Sequence, residues 1–228
     1  MRSPRPFVAA VLMLGACSKL GESGAPVAIE FLVAAPAAVE IGDTIQLRAR
    51  VLDQNGDSVG ATIRWRTPDS TVAVDSVTGR FWGLVLGNEI GRVQPVSGSL
   101  VGALNLFTVR ARADTLIIPS GADSLVVTAA DTASAPLGPK VAKSDATGLA
   151  DRRLIITLLT PTDSSVRLSG DVAVDTILTG TGGVPAASFR LRRTGVAWPD
   201  SAVVKVEARR TSGAVVPGSG QKIRVFFE

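Results

Sequence analysis

The chain has 228 residues, 46% of them hydrophobic, which is room for two ordinary domains with real cores and too apolar for a disordered tail. Its 24 basic and 20 acidic side chains nearly balance, and Arg2 and Arg5 lie in a leader, so no basic face suited to nucleic acid is expected. With no histidine, no tyrosine and a single cysteine, the chain lacks the commonest general base and zinc ligand and cannot form an internal disulfide.

The first sixteen residues read as an export signal. Arg2 and Arg5 supply the positive start, residues 7–14 the apolar middle, and small residues precede Cys17. The apolar middle is too short to span a bilayer, which takes about 20 residues. Leu14-Gly15-Ala16-Cys17 resembles the lipobox of bacterial lipoproteins, in which Leu and two small residues precede the modified cysteine. That resemblance implies cleavage before Cys17 and a covalent lipid on it, and Ser18 after the cysteine implies sorting to the outer membrane. Residues 17–26 then form a polar, glycine-containing tether.

From Val27 the hydrophobic pattern changes to period two. In residues 44–52, Ile45, Leu47, Ala49 and Val51 share one face, with Gln46, Arg48 and Arg50 on the other, which predicts one strand. Asn55-Gly56 predicts a tight hairpin turn. Further strands are expected over 62–67, 71–75, 80–86, 91–96 and 104–112. Spaced features here resemble group 2 bacterial immunoglobulin-like domains: the opening Val39-Glu40-Ile41-Gly42-Asp43-Thr44, then Trp65, Val72-Ala73-Val74, Thr78-Gly79-Arg80 and Gly87. The resemblance covers residues 27–113 and implies an antiparallel sandwich with Trp65 in its core.

A second strand-rich segment occupies residues 114–228. Strands are expected over 116–118, 125–129, 140–144, 153–159, 175–183, 186–192, 202–208 and 222–227, with a hairpin turn at Asp145-Ala146-Thr147-Gly148. The succession Asp145, Gly148, Gly182-Gly183-Val184, Phe189, Leu191 and residues 202–208 resembles group 1, invasin-type domains more weakly. The expected fold is therefore all-β: two tandem antiparallel immunoglobulin-like β-sandwiches after an N-terminal lipoprotein signal. The expected divisions are 1–16, 17–26, 27–113 and 114–228.

No catalytic constellation is found. Asp53, Asn55 and Asp57 alternate like a calcium loop, but Ser58 and Arg64 stand where that loop needs glycine and glutamate. Ser219 and Lys222 have S-x-x-K spacing, but they precede a terminal strand rather than occupying a helix. No metal site is expected, and no cofactor besides the lipid on Cys17. Arg64/Arg66 and Arg110/Arg112 each lie two apart, so each pair would share a strand face. In an immunoglobulin-like topology their strands belong to one sheet, which makes them candidate ligand-binding residues, or else a solvated outer face. Phe81 and Trp82 must point opposite ways; the outward ring is expected to pack against the neighbouring domain or to stack on a sugar. These readings predict a non-catalytic, lipid-anchored envelope protein serving adhesion, binding or spacing, with a membrane, a cell-surface glycan or an envelope protein as partner. The rival expectation is a carbohydrate-binding accessory lipoprotein contacting its ligand through these arginines and Trp82.

Overall fold

A computed structural model describes residues 24–228, apart from 33, 35–36, 87–89, 122, 129–130 and 195–198. Leu14, Gly15, Ala16 and Cys17, the tether up to residue 23, and Gly87 lie outside the described residues. The described chain is all-β, with one short 3-10 turn at Thr181–Gly183. Among the described residues no helix is long and apolar enough to cross a membrane.

The first eleven strands are β1 (Ala28–Phe31), β2 (Ala38–Glu40), β3 (Thr44–Gln46), β4 (Ala49–Leu52), β5 (Ser58–Val59), β6 (Arg64–Arg66), β7 (Val72–Val74), β8 (Arg80–Gly83), β9 (Ile90–Ser97), β10 (Leu100–Val101) and β11 (Asn105–Arg110). One layer runs β10-β9-β11-β2, with β6 also paired to β9; another runs β3-β8-β7; a third ribbon is β1-β4-β5. Their inward side chains meet in one core of Val39, Leu47, Trp65, Val72, Phe81, Val93, Phe107 and Val109. The Phe81 and Phe107 rings lie 4.2 Å apart at its centre. Each fully buried side chain of this size contributes about 1.5–3 kcal/mol relative to exposure. Trp65 is buried, as an aromatic flanked by outward arginines on a strand must be. Gly79, at φ +72°, lies flat against it: a Cβ there would fall 2.6 Å from the indole Nε1, so the glycine is a packing requirement as well as a turn.

Nine strands follow: β12 (Thr115–Ile117), β13 (Ser124–Val127), β14 (Lys140–Ala142), β15 (Arg153–Thr160), β16 (Val166–Leu168), β17 (Val174–Leu178), β18 (Leu191–Arg193), β19 (Ser201–Arg209) and β20 (Gln221–Phe227). The five-stranded sheet β13-β20-β19-β15-β17 faces the two-stranded ribbons β12-β14 and β16-β18. Strict alternation on β19 puts Ala202, Val204, Val206 and Ala208 inward. They join Leu154, Ile156, Ile223, Val225 and Phe189 in a second core, which draws its fully buried members from 113–227 alone.

Three features depart from the sequence expectation. Neither sandwich is purely antiparallel, because β2 runs parallel to β11 and β13 parallel to β20. Each unit thus closes a sheet by laying an early strand beside its last one. Second, residues 44–52 are not one strand. The chain leaves β8 after Gln46, Leu47 N–H donates to the Gly79 carbonyl, and the Arg48 carbonyl accepts from Leu32 as β4 joins β1. Alternation survives this change of sheet, so side-chain periodicity alone cannot reveal it. Third, the turn at 53–57 is not a two-residue hairpin: only Gly56 has positive φ there. The loop is held instead by the Asp53 carboxylate, which accepts from the Asn55 and Asp57 amides. Burial of Asp53 favours its neutral form, but backbone donors from Asp57, Asn55, Gly24 and Gly56 outweigh it and hold the carboxyl below its ordinary value.

The 145–148 turn is as expected, with Ala146 at φ +62° and Asp145 Oδ1 accepting from the Thr147 amide at 2.9 Å. That amide, then the Thr147 hydroxyl and Lys143, hold the Asp145 carboxyl at about 2 against an ordinary 3.8. The folded-state value is the depressed one, so its stabilising effect is complete above the ordinary value and is lost as pH falls through 2. An NMR titration should give an Asp145 midpoint near 2, and Asp145→Asn should flatten the loss of stability between pH 4 and pH 2. A midpoint at the ordinary value would contradict the turn geometry.

Candidate functional site

The junction between the two units buries Glu40, Asp43 and Arg152, three of the four charged residues buried among the described residues. Ile41-Gly42-Asp43 turns the chain out of β2 with Gly42 at φ +78°, which leaves Glu40 and Asp43 side by side at the end of the first unit. Glu40 is 0% exposed despite its charge. Arg152, one residue before β15, is 3% exposed and brings Nε to 2.8 Å from Glu40 Oε1. The Nε–H is not aimed along that contact, so the pair is a close charge contact in a dry site rather than an aligned hydrogen bond. The other guanidinium nitrogens donate to the carbonyls of Ala150 at 2.8 Å and of Ala111, in the connecting segment, at 2.6 Å. Glu40 Oε2 accepts from the Ala113 amide at 2.7 Å.

A second arginine completes the arrangement. Arg210, just past β19, donates Nε to the Ala113 carbonyl at 2.9 Å and NH1 to Asp43 Oδ1 at 3.1 Å, and its Nε lies 4.0 Å from Glu40. Ser212 Oγ donates to the other Asp43 oxygen at 2.5 Å. Two carboxylates of the first unit are therefore neutralised by two guanidiniums of the second, and the connecting backbone at 111–113 is hydrogen-bonded by both arginines. Burial pulls the Arg152 guanidinium below its ordinary value; Glu40 opposes this, nearby Arg110 adds to it, and Asp151 opposes it. Arginine stays charged at any physiological pH, so the clamp has no proton to lose there through Arg152. Thr179 fixes the Arg152 backbone, accepting its amide at 2.9 Å and donating its own hydroxyl to the Leu149 carbonyl at 2.6 Å.

Arg210 of the clamp also lines an open cleft of about 720 Å³ between the units, together with Arg110, Asp151, Arg153 and Arg209 among others. Asp151 stands in the left-handed region at φ +57° and lies 3.5 Å from Arg110.

The residues singled out in the sequence are distributed as follows. Arg64, Arg66 and Arg110 do lie in one sheet, through β9. Arg66 is opposite Gln94, however, and Arg110 is two residues past Thr108, which is opposite Ile90. Six residues along the strands separate them by about 20 Å. Between them Arg92 is already paired with Asp69 at 2.6 Å, so the arginines do not form a continuous stripe. Arg112 falls beyond β11 and pairs with Asp114 at 3.5 Å. Trp82 belongs to a different sheet, β3-β8-β7, where Phe81 turns inward and Trp82 outward. Its ring borders a shallow cleft of about 340 Å³ with Gly42, Thr44, Asp75 and Arg80, all of the first unit rather than the neighbouring one. Arg64, Arg66, Arg110, Arg112 and Trp82 thus do not converge on one surface. Cys17 and its lipobox lie outside the described residues. Among the described residues there is no group of three or more potential metal-ligating Cys, Asp or Glu side chains.

No protein-family profile matches the sequence, and no curated protein does. Solved structures similar to this chain include the Yersinia pseudotuberculosis adhesin InvE, at 16% identity and a TM-score of 0.39 over 91% of this chain and 61% of that one. Fibronectin(III)-like modules of Clostridium thermocellum CbhA are similar at 12% identity and a TM-score of 0.43, over 88% and 94% of the two chains. Domains 4–9 of the surface layer protein SbsC match at 11% identity and a TM-score of 0.33 over 90% of this chain. This chain spans 61% of the InvE chain and 32% of the SbsC one. Similarity at this level assigns neither a ligand nor a role.

The sequence reading missed the clamp. Glu40 and Asp43 entered it only as part of a family-like opening, and Arg152 and Arg210 not at all. The available signal was a glutamate inside the otherwise apolar run 37–41 and an arginine pair immediately preceding the apolar run of β15.

Proposed function

We propose that the chain is a non-catalytic, lipid-anchored envelope protein whose two sandwiches act as a stiff spacer or binding module at a membrane surface. The observation that carries this reading is the buried four-charge clamp of Glu40, Asp43, Arg152 and Arg210. Such a junction has the opposite character to a loose linker, which would leave two domains to reorient independently. A small rotation that separates Glu40 from Arg152 without admitting water would leave both charges buried and unpaired, a cost of several kcal/mol. Cys17 with its lipobox supplies the anchor, residues 18–26 the tether, and the outer membrane the location; adhesion to an envelope protein or cell-surface glycan is the use such a spacer serves.

A second reading is favoured by one observation. Trp82 faces outward beside Arg80 and Asp75 in a shallow cleft, the combination of an aromatic face and hydrogen-bonding groups that a sugar ring takes. In that reading the protein is a carbohydrate-binding accessory lipoprotein, with the contact moved from the arginine pairs to Trp82 and Arg80.

Spin labels placed on Val126 and Val77, both exposed and in different units, should give one narrow distance distribution, and Glu40→Ala should broaden it. A broad distribution in the unmodified protein would end the spacer reading. Fatty-acid labelling in cells should disappear in Cys17→Ser; unchanged labelling would remove the anchor. Retention on a glycan array that Trp82→Ala abolishes would put the second reading first.

A further inference from the structure

The cleft beside the clamp carries a feature that neither spacing nor stability explains. Arg153 on β15 is the direct register partner of Arg209 on β19, and both side chains lie on the outward face of the same sheet. Like charges directly opposite one another on a sheet are destabilising. Neither is neutralised: among the described residues Arg153 makes no side-chain ion pair or hydrogen bond, and Arg209 makes only a 3.2 Å bond to the Gly213 carbonyl. Arg110 reaches the same cleft from the first unit, sharing Asp151 at 3.5 Å. With Arg210 of the clamp, which is already paired with Asp43, four arginines from both units therefore line a cleft whose lining holds a single carboxylate, Asp151, and the clamp fixes the distance between the units. Apolar lining comes from Ile155, Ala38 and the half-exposed Leu178, which sits next to Arg153 on β17. At about 720 Å³ the cleft has the size of a small-molecule site.

We infer that this inter-unit cleft binds an oxyanion, a carboxylate or phosphate carried on a small, partly apolar body. Arg153 and Arg209 form the fork that receives the anion, and Arg110 closes on it from the other unit while Leu178 and Ile155 cover the apolar part. Arginine suits this role because its planar fork matches carboxylate and phosphate geometry. The site goes beyond the spacer reading and is independent of the anchor. Because Arg110 and Arg153 come from different units, an anion bound between them would also tie the two together.

The test uses the full chain with nanodiscs of zwitterionic lipid added to the solution, with inorganic phosphate and glucuronate as probes and chloride added to hold ionic strength constant. Both probes should raise the melting temperature in a saturating manner and shift the Nε–H resonances of Arg110, Arg153 and Arg209 but not that of Arg64. Arg153→Gln and Arg209→Gln should each melt slightly higher than the parent without probe, since a like-charge contact is removed. Each should bind at least about tenfold more weakly, the scale of one lost charge-assisted contact. A lipid source is separated by repeating the measurement with phosphatidylglycerol nanodiscs: if the lipid headgroup is the ligand, the arginine shifts appear there without added probe. Equal affinity in the parent and in both variants, or shifts at Arg64 as large as those at Arg153, would overturn the proposal.

Discussion

Replacing Glu40 with alanine is expected to destabilise the protein by about 3–5 kcal/mol, the range seen when one partner of a buried ion pair is removed. The size follows from what is left behind. Arg152 is 3% exposed and cannot swing into water without giving up its bonds to the carbonyls of Ala111 and Ala150, so its charge stays buried without a counter-ion. Arg210 keeps Asp43 and therefore does not compensate. The Ala113 amide also loses its acceptor in the middle of the connection. Urea unfolding monitored by the fluorescence of Trp65, with Trp82 and Trp198 replaced by Phe, and by amide exchange of β19, in the second core, separates two consequences. In the parent the two probes should report one transition; in Glu40→Ala they should separate, because the clamp that couples the units is gone. The double variant Glu40→Met with Arg152→Met removes both charges and should recover most of the loss, since a buried pair adds little net stability over apolar residues of similar size. A single-variant cost below about 1 kcal/mol, or a double variant no better than the single, would show that the pair is not buried as described.

The contrast between what the sequence disclosed and what it hid has a physical basis. The strands of the second unit were legible because β15 reads as an almost continuous apolar run, and because Val206 and Ala208 of β19 alternate with Lys205, Glu207 and Arg209. Trp65 and Phe81 were legible for the same reason. β2 was not, since all three of its residues are buried, glutamate included, and a strand covered on both sides has no alternation to read. The sheet change after Gln46 was hidden because period two continues through it. Glu40 itself shows the deeper limit. Its burial is set by Arg152, which belongs to the other unit and is distant in sequence, and a lone carboxylate on a strand reads as solvent-facing until its partner is located. The cleft arginines were concealed in the same way: Arg110 was marked through its neighbour Arg112, whereas its structural companions Arg153 and Arg209 come from the opposite unit. Arg-x-Arg spacing finds side chains that share one strand face, and a site assembled from two domains has no spacing to find.

The second large effect is expected at Gly148, and it gives a physical reason for glycines that the sequence offered only as a resemblance. The 145–148 turn returns the chain so that Gly148 lies directly on the 3-10 turn at Thr181–Gly183. A Cβ on Gly148 would fall 1.8 Å from the Gly182 carbonyl oxygen and 2.1 Å from its carbon. Both obstructing atoms are backbone, so no rotamer change relieves the overlap and one of the two turns must move. From the other side, Gly183 has φ +79° and a Cβ there would lie 2.2 Å from the Val141 carbonyl oxygen. The two segments therefore approach backbone to backbone, which only glycine on both sides permits. Displacing them disturbs the Leu149 amide's bond to the Val141 carbonyl and the Thr179 hydroxyl's bond to the Leu149 carbonyl, and Thr179 in turn holds the Arg152 amide of the clamp. Gly148→Ala should accordingly cost at least about 3 kcal/mol, at the upper end of the overpacking range, and it should also broaden the inter-unit distance distribution that Glu40→Ala broadens. Gly138→Ala is the matched control: no heavy atom lies within 4 Å of a Cβ there and its φ is not in the left-handed region, so its effect should stay within about 0.5 kcal/mol. If the two alanine variants unfold at the same urea concentration, the close approach of Gly148 to Gly182 is wrong, and the link from this turn through Thr179 to the clamp fails with it.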